Sequence, residues 1–381
     1  MIEKIKVFVV DDSMVFRKFL TERLAAYPEF EVVGYAMNAI DAKHQLERCH
    51  PDVMTLDIEM PGINGIDFLK ELLPEKPIPV ILVSSLNMNV FSALSCGAVD
   101  FVQKPDMGTG SGREKFISAL ARKIVTASKA KVFPKRNIPV KRPETGSRGE
   151  NVNFAGSGSR GENVNFAGSG SRTECKVPVW QKGQGLLSMA GKNMVIAIGA
   201  STGGTEAVLE VLKDLPARMP GIVVTQHMPE GFTKMYAQRL NRLCRLEVKE
   251  AQNGDEIRSG RVLIAPGGMQ MQVVRKSGHY AVSCFRGEKV SGHCPSVDVL
   301  FRSVAENVGK DAIGVIMTGM GRDGAEGLLK MRRAGAYTIG QDKDSCVVYG
   351  MPMVALNMGA VCRQASCGNI AEILMGRIQK I

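Results

Sequence analysis

A hydroxyl, an imidazole and a carboxylate occupy equivalent places in the second half of this chain. Ser201 follows the apolar run "MVIAIG" inside the string "IGASTGG", His227 follows "GIVVTQ", and Asp323 lies in the glycine-rich turn "GMGRDG" after "AIGVIMTG". A serine hydroxyl is a weak nucleophile at neutral pH. An imidazole beside it can take its proton and return it to a leaving group, while a carboxylate holds the imidazole in one tautomer and stabilises the imidazolium. The transient oxyanion needs N–H donors, which the helix start after Ser201 or the turn Gly319 to Gly321 can supply. Met320 sits in that turn, and its backbone N–H is the first candidate. Each residue also has an ordinary explanation: Ser201 and Thr202 as helix caps, Asp323 as a turn carboxylate. Asp255 and Asp298 are alternative partners for His227. Of the five histidines, His44 and His50 lie in the first half. His279 and His293 follow no comparable run, although "SGHCPSVD" can still bring His293 toward the site.

The first half carries a different set. "IKVFVV" precedes Asp11 and Asp12, "VMTL" precedes Asp57, "VILV" precedes Ser84, and "VDFVQ" precedes Lys104. Three carboxylates brought together repel one another, so a divalent cation is expected among them, and oxygen ligands in an incomplete shell suit Mg²⁺. A lysine and a hydroxyl nearby suit a phosphoryl group, and a carboxylate can accept one.

The elements that must position these residues are legible in outline. Continuous apolar runs alternate with helix-like segments in both halves, which implies parallel sheets covered on both faces. Such sheets bind ligands beyond the carboxyl ends of their strands, where both sets of residues fall. The expected fold is therefore α/β, two doubly wound parallel-sheet domains joined by a linker. The G-x-S-x-G string alone suggests an α/β-hydrolase, but those enzymes run Ser, Asp or Glu, His, whereas the order here is Ser201, His227, Asp323. "GASTGG" lacks the G-x-G-x-x-G of dinucleotide binding, and no G-K-[ST] follows it.

Composition narrows the class further. With 44% hydrophobic and 23% charged residues the chain reads as soluble and globular, and no apolar run approaches a membrane span. The nine cysteines are scattered and never spaced C-x-x-C, which points to reduced thiols in the cytoplasm. Of the net charge of +11, most resides between residues 129 and 186, where eleven Lys or Arg face four Glu. There the twelve residues Ser147 to Gly158 recur unchanged from Ser159 to Gly170. Gly, Ser, Asn and Arg dominate, so a disordered basic linker is expected, with a graze against an acidic partner as the alternative. A DNA-binding output would need a short helix-turn-helix domain with its own basic helix, which this second half does not offer.

Residues 1 to about 125 resemble response-regulator receiver domains, through "VVDDS", "TLDIEMPGINGIDFL", "VSS" and "DFVQKP". The resemblance implies a flavodoxin-like domain in which Asp57 accepts phosphate from a partner histidine kinase. Asp12 and Asp57, with the Glu59 backbone carbonyl, would bind Mg²⁺, and Asp11 would support them through water. Lys104 would pair with the phosphoryl oxygens, and Ser84 and Phe101 match the positions that shift on activation. Phe101 alone also reads as an ordinary core aromatic.

The rest of the chain, 188–381 after a linker at 126–187, resembles the chemotaxis protein-glutamate methylesterase family. The motifs are "IGASTGG", "VVTQHMP", "GRVLIAPGG", "PSVDVLF" and "MTGMGRDGA". The resemblance implies a Rossmann-like catalytic domain with Ser201, His227 and Asp323 as its triad and Thr202 and Met320 beside it. It implies hydrolysis of γ-glutamyl methyl esters, and deamidation of glutamines, on methyl-accepting chemoreceptors, with no cofactor for the ester reaction and no insertion into the membrane. Two positions depart from many relatives: Gln270 stands where a histidine is usual, and Cys294 where a basic residue is usual. The simplest coupling of the two halves is docking, with the unphosphorylated receiver over the face that holds Ser201.

Overall fold

Five parallel strands form the first sheet of the computed structural model, which describes residues 3–85, 89–106, 108, 110–132 and 194–379. They are β1 (Ile5–Val10), β2 (Phe30–Ala36), β3 (Val53–Leu56), β4 (Val80–Ser84) and β5 (Asp100–Gln103), in the order β2-β1-β3-β4-β5. Their apolar runs are continuous because both faces are covered: β3 and β4 are buried at every position. The covering helices are α1 (Met14–Ala25), α2 (Ala39–Cys49), α3 (Gly65–Glu75), α4 (Asn89–Ser95) and α5 (Gly110–Ala127). Ser13, Asn38 and Asn64 cap α1, α2 and α3 with their side-chain oxygens.

A larger parallel sheet of seven strands follows. It contains β6 (Val195–Ala200), β7 (Gly221–Gln226), β8 (Glu247–Glu250), β10 (Arg261–Ile264), β13 (Ala312–Ile316), β14 (Tyr337–Gln341) and β15 (Arg363–Ala365), in the order β15-β14-β13-β6-β7-β10-β8. Its helices are α6 (Gly204–Asp214), α7 (Phe232–Leu243), α8 (Val297–Asn307), α9 (Ala325–Arg333), α10 (Met351–Asn357) and α11 (Cys367–Ile378). The chain order reverses between β6 and β13, as it does between β1 and β3 in the first sheet. Each reversal opens a crevice at the strands' carboxyl ends.

Two doubly wound sheets are as expected, but there is a third. β9 (Glu256–Ile257), β11 (Gln270–Lys276) and β12 (His279–Phe285) make a small antiparallel sheet ordered β11-β12-β9. The β11–β12 hairpin closes on two residues, Ser277 (φ 42°) and Gly278 (φ 90°), the left-handed pair that matches the twist of its strands. Val273 and Val282 turn inward from this hairpin and join the core beneath α8.

The first domain's last helix, α5, ends at Ala127, and the chain beyond it leaves by way of Lys131, whose N–H donates to Val347 O at 2.9 Å. The sequence repeat and nearly all of the expected linker lie outside the described residues. No described helix is long and apolar enough to cross a membrane.

Candidate active site

The strand-end serine sits on a turn with no room for side chains around it. A Cβ on Gly199 would stand 2.1 Å from Val297 Cγ1, and Gly203 holds φ 77° at the start of α6 with Val347 against it. The G-x-S-x-G glycines are therefore steric requirements of a strand entering a helix at a crevice. Gln226, at the end of β7, donates from Nε2 to Ser201 O at 2.8 Å and ties the serine turn to the neighbouring strand end.

Ser201 Oγ lies 3.0 Å from His227 Nδ1, and His227 Nε2 lies 2.8 Å from Asp323 Oδ2. The carboxylate only accepts, so the ring proton belongs on Nε2 and Nδ1 faces the serine hydroxyl as acceptor. Thus β6, β7 and the turn after β13 bring together the three residues expected to meet.

Asp323 is held from below by the start of α8. Its Oδ1 accepts from Ser296 Oγ at 2.8 Å and from the Asp298 N–H at 3.1 Å, and its Oδ2 also accepts from the Val297 N–H at 2.8 Å. Burial alone would push this carboxyl up, but the His227 contact and these donors outweigh it and hold it below the usual carboxylate range. The helix dipole acts in the same direction.

Neither rival carboxylate reaches the imidazole. Asp298 is buried beneath Asp323 and accepts from the Gly327 N–H at 2.7 Å, and burial pushes its carboxyl up. Asp255 is engaged by Lys249 and by the Gln252 N–H. The Ser201 N–H, one possible oxyanion donor, is spent on Thr318 O at 2.9 Å. Among the described residues the Met320 N–H meets no acceptor, and Met320 lines the same cleft as Ser201 and His227.

Ser296 and Gln270 carry no signal of their role in the sequence, whereas His293 lies where "SGHCPSVD" allows it. Ser296 stands in "PSVDVLF" and caps α8 while donating to Asp323. His293 lays its ring on that of His227, with centroids 3.7 Å apart and planes 5° apart. Gln270, noted only as a departure, is buried and hydrogen-bonded to the segment that carries both.

In the first sheet, Asp11, Asp12 and Asp57 place carboxylate oxygens within 4.8 Å of one another. Lys104 Nζ is 2.6 Å from Asp57 Oδ2 and 2.9 Å from Asp11 Oδ2. Burial pushes Asp57 and Asp11 up, against the pull of Lys104. Burial draws Lys104 down, but its two carboxylate hydrogen bonds outweigh this and hold it above its ordinary value. The Glu59 N–H donates to Asp57 Oδ1, and Ser84 Oγ is buried with no hydrogen-bond partner among the described residues.

The two domains meet beside Ser201. Thr202 Oγ1 donates to Asp100 Oδ2 at 2.7 Å, and Lys123 pairs with Asp100 Oδ1 at 2.5 Å. Phe101 packs on Phe232 with centroids 4.5 Å apart, and Phe91 stacks on Tyr236 at 5.7 Å. Arg239 donates to Ser95 Oγ and pairs with Glu206. The resulting cleft, about 650 Å³, is lined by Ser201, His227 and Met320 on one side and by Asp100, Arg122 and Lys123 on the other.

Comparison with known proteins gives the family. Residues 196–374 match the CheB methylesterase family model, and residues 7–109 match that of the response regulator receiver domain. A protein-glutamate methylesterase/protein-glutamine glutaminase of Syntrophomonas wolfei is 46% identical over 380 residues, spanning all of this chain and 99% of that one. The chain belongs to the CheB methylesterase family. The methylesterase/glutaminase of Escherichia coli K12 is 40% identical, covering 98% of this chain and 97% of its own. The CheB methylesterase catalytic domain of Thermotoga maritima is 36% identical, with a TM-score of 0.48, over 50% of this chain and 99% of that one. As a CheB-type methylesterase, this chain is a response regulator whose output domain is a hydrolase.

Proposed function

We propose that Ser201, His227 and Asp323 form the catalytic triad of a phosphorylation-controlled hydrolase, acting on glutamate methyl esters and glutamine amides of chemoreceptors. The carrying observation is the continuous chain from Ser201 Oγ through both imidazole nitrogens to Asp323. Ser201 Oγ attacks the γ-carbonyl as His227 Nδ1 takes its proton. The oxyanion forms beside the Met320 N–H. Collapse of the tetrahedral adduct breaks the C–O bond to methoxide, which leaves as methanol with the proton returned by His227. Water then attacks the γ-glutamyl ester of Ser201, again losing a proton to His227, and glutamate is released. A glutamine follows the same path with ammonia as leaving group. Asp323 Oδ2 accepts the Nε2–H throughout and stabilises the imidazolium.

The receiver pocket fits a hard divalent cation, since its donors are clustered carboxylate oxygens in excess over a single lysine. Asp12, Asp57 and the Glu59 backbone carbonyl are the residues that would hold Mg²⁺, with Asp11 behind them. Bound there, the ion would neutralise charge on a phosphoryl group. Asp57 takes the phosphoryl group from a partner histidine kinase, and Lys104 and Ser84 bind its oxygens. The receiver's contacts at Thr202 and Phe232 support control by access: the docked receiver narrows the approach to Ser201, and movement of Ser84 and Phe101 loosens it.

The test is methanol release from a methylated receptor fragment by wild type and Ser201→Ala. Loss of release in the variant is expected. Retention near the wild-type rate would falsify the nucleophile assignment, and turnover of soluble esters with none of the receptor would overturn the substrate.

A further inference from the structure

The triad accounts for the edges of the His227 ring but not for its face. Histidine χ2 has a broad, roughly two-fold preference, so hydrogen bonds at the ring's edges leave it free to swing when either bond is exchanged during turnover. His293 covers that face as a flat stack, 3.7 Å between centroids and 5° between planes.

The segment carrying His293 is built to hold it there. The N–H of Val290 donates to His293 O at 3.0 Å and the N–H of His293 to Val290 O at 2.9 Å. Between them Ser291 (φ 53°) and Gly292 (φ 83°) are both left-handed, as a tight two-residue turn demands. Gln270, at the start of β11 and 2% exposed, braces the turn from behind. Its Nε2 donates to Glu288 O at 2.9 Å and to His293 O at 3.3 Å, and its Oε1 accepts from the Ser296 N–H at 2.9 Å. Ser296 in turn donates to Asp323. One buried amide therefore sets both the stack on His227 and the brace under Asp323.

We propose that His293 is a positioning residue for the catalytic imidazole: lying flat on His227, and fixed by Gln270 through residues 288–296, it confines the ring to the orientation that joins Ser201 to Asp323. The stacked ring stays uncharged while His227 carries the proton. Burial, and then the neighbouring His227, push His293 down to about 4. The departure at position 270 thus reads as a buried hydrogen-bonding brace for this turn.

The inference rests on the triad reading, and the experiment separates the two. Rates are measured on a methylated receptor fragment with the full-length protein and saturating phosphodonor. His293→Ala is expected to lower kcat about tenfold or more, the scale of a slightly misplaced catalytic group, with little change in KM. His293→Phe, which restores a flat ring without nitrogens, is expected to recover most of that loss. Gln270→Ala is expected to reproduce the fall in kcat. His293→Gln, planar but ringless, takes the place of the alanine variant should that one not fold, with the same loss expected. Ser201→Ala is measured alongside. If it retains activity, the triad reading falls and this inference with it. An inactive Ser201→Ala beside a His293→Ala variant of undiminished kcat overturns the inference alone. A phenylalanine variant as slow as alanine also overturns it, since a ring nitrogen would then be what matters, and so does a change confined to KM.

Discussion

The two parallel sheets place their polar groups at the same topological point and finish them differently. In the first, Asp11 and Asp57 share one lysine beside Asp12, and Ser84 Oγ is buried with no hydrogen-bond partner among the described residues. In the second, Asp323 accepts from Ser296, Val297, Asp298 and His227 at once. On the proposed reading, the first site awaits a cation and a phosphoryl group. The second is complete before substrate enters. Preorganised donors cost no rearrangement in the transition state, which suits acyl transfer. A site left electrostatically unbalanced responds strongly to a new charge, which suits a switch. The proposed control of the second site by the first is then control of access, since the triad has nothing left to assemble.

The largest expected effect comes from breaking the finished site. Ser201→Ala should lower kcat by roughly 10⁴- to 10⁶-fold, and His227→Ala by a comparable factor, since triad members act as a unit. Asp323→Asn should cost about 10⁴-fold by favouring the wrong imidazole tautomer. Phosphorylation of Asp57 should proceed normally in all three, as followed with a labelled small-molecule phosphodonor. A triad variant that also lost phosphorylation would contradict the independence of the two sites.

The next effect is on access. A fragment from Leu187 to Ile381 should work about tenfold faster than the unphosphorylated full chain, a shift that needs only ~1.4 kcal/mol of differential docking. Asp57→Asn should hold the full chain at its basal rate despite phosphodonor. A fragment no faster than the unphosphorylated whole would replace occlusion with activation by receiver contact.

Within the docked surface, Asp100 is the polar link nearest the nucleophile, accepting from Thr202 and pairing with Lys123. Asp100→Ala should raise the basal rate roughly three- to tenfold, on the scale of one net hydrogen bond, and leave the phosphorylated rate unchanged. A basal rate that does not move would assign the docking to the apolar pairs, Phe101 on Phe232 and Phe91 on Tyr236.

What was legible in the sequence follows from how each residue is placed. Ser201, His227, Asp323, Asp11, Asp57 and Lys104 each end a continuous apolar run or lie in the turn after one, and a doubly wound sheet sends all such positions to one edge. His293 and Gln270 left no such signal. His293 rides a two-residue turn, and Gln270 begins a strand of the small antiparallel sheet, so their meeting depends on a hairpin that closes at Ser277–Gly278 rather than on a parallel strand end. Asp100 opens β5, far in sequence from Thr202, and only packing between domains reveals their contact. Residues that meet through sheet topology were readable; those that meet through loops and a domain interface were not.

The smallest effect is on stability, and the two aspartates should have opposite signs. Asp57 is raised in the fold, so its ionised form costs stability at neutral pH, and that cost fades as pH falls through its folded pKa. Asp323 is lowered, so its ionised form contributes stability above the ordinary carboxylate pKa, and that contribution is lost as pH falls through the lower folded value. In metal-free buffer at pH 7, Asp57→Asn should leave the melting temperature unchanged or raise it, because one of three crowded carboxylates is neutralised while Lys104 keeps Asp11. Asp323→Asn should lower it, at a cost of about 1–3 kcal/mol for a buried charged acceptor replaced by an amide that cannot satisfy the same donors. Adding Mg²⁺ should then raise the melting temperature of the wild type and of Asp323→Asn, by preferential binding to the folded receiver, and do less for Asp57→Asn. Equal destabilisation by the two substitutions without metal would mean that the receiver pocket is as fully satisfied as the triad, and the contrast between a site awaiting its ligand and a finished one would fail.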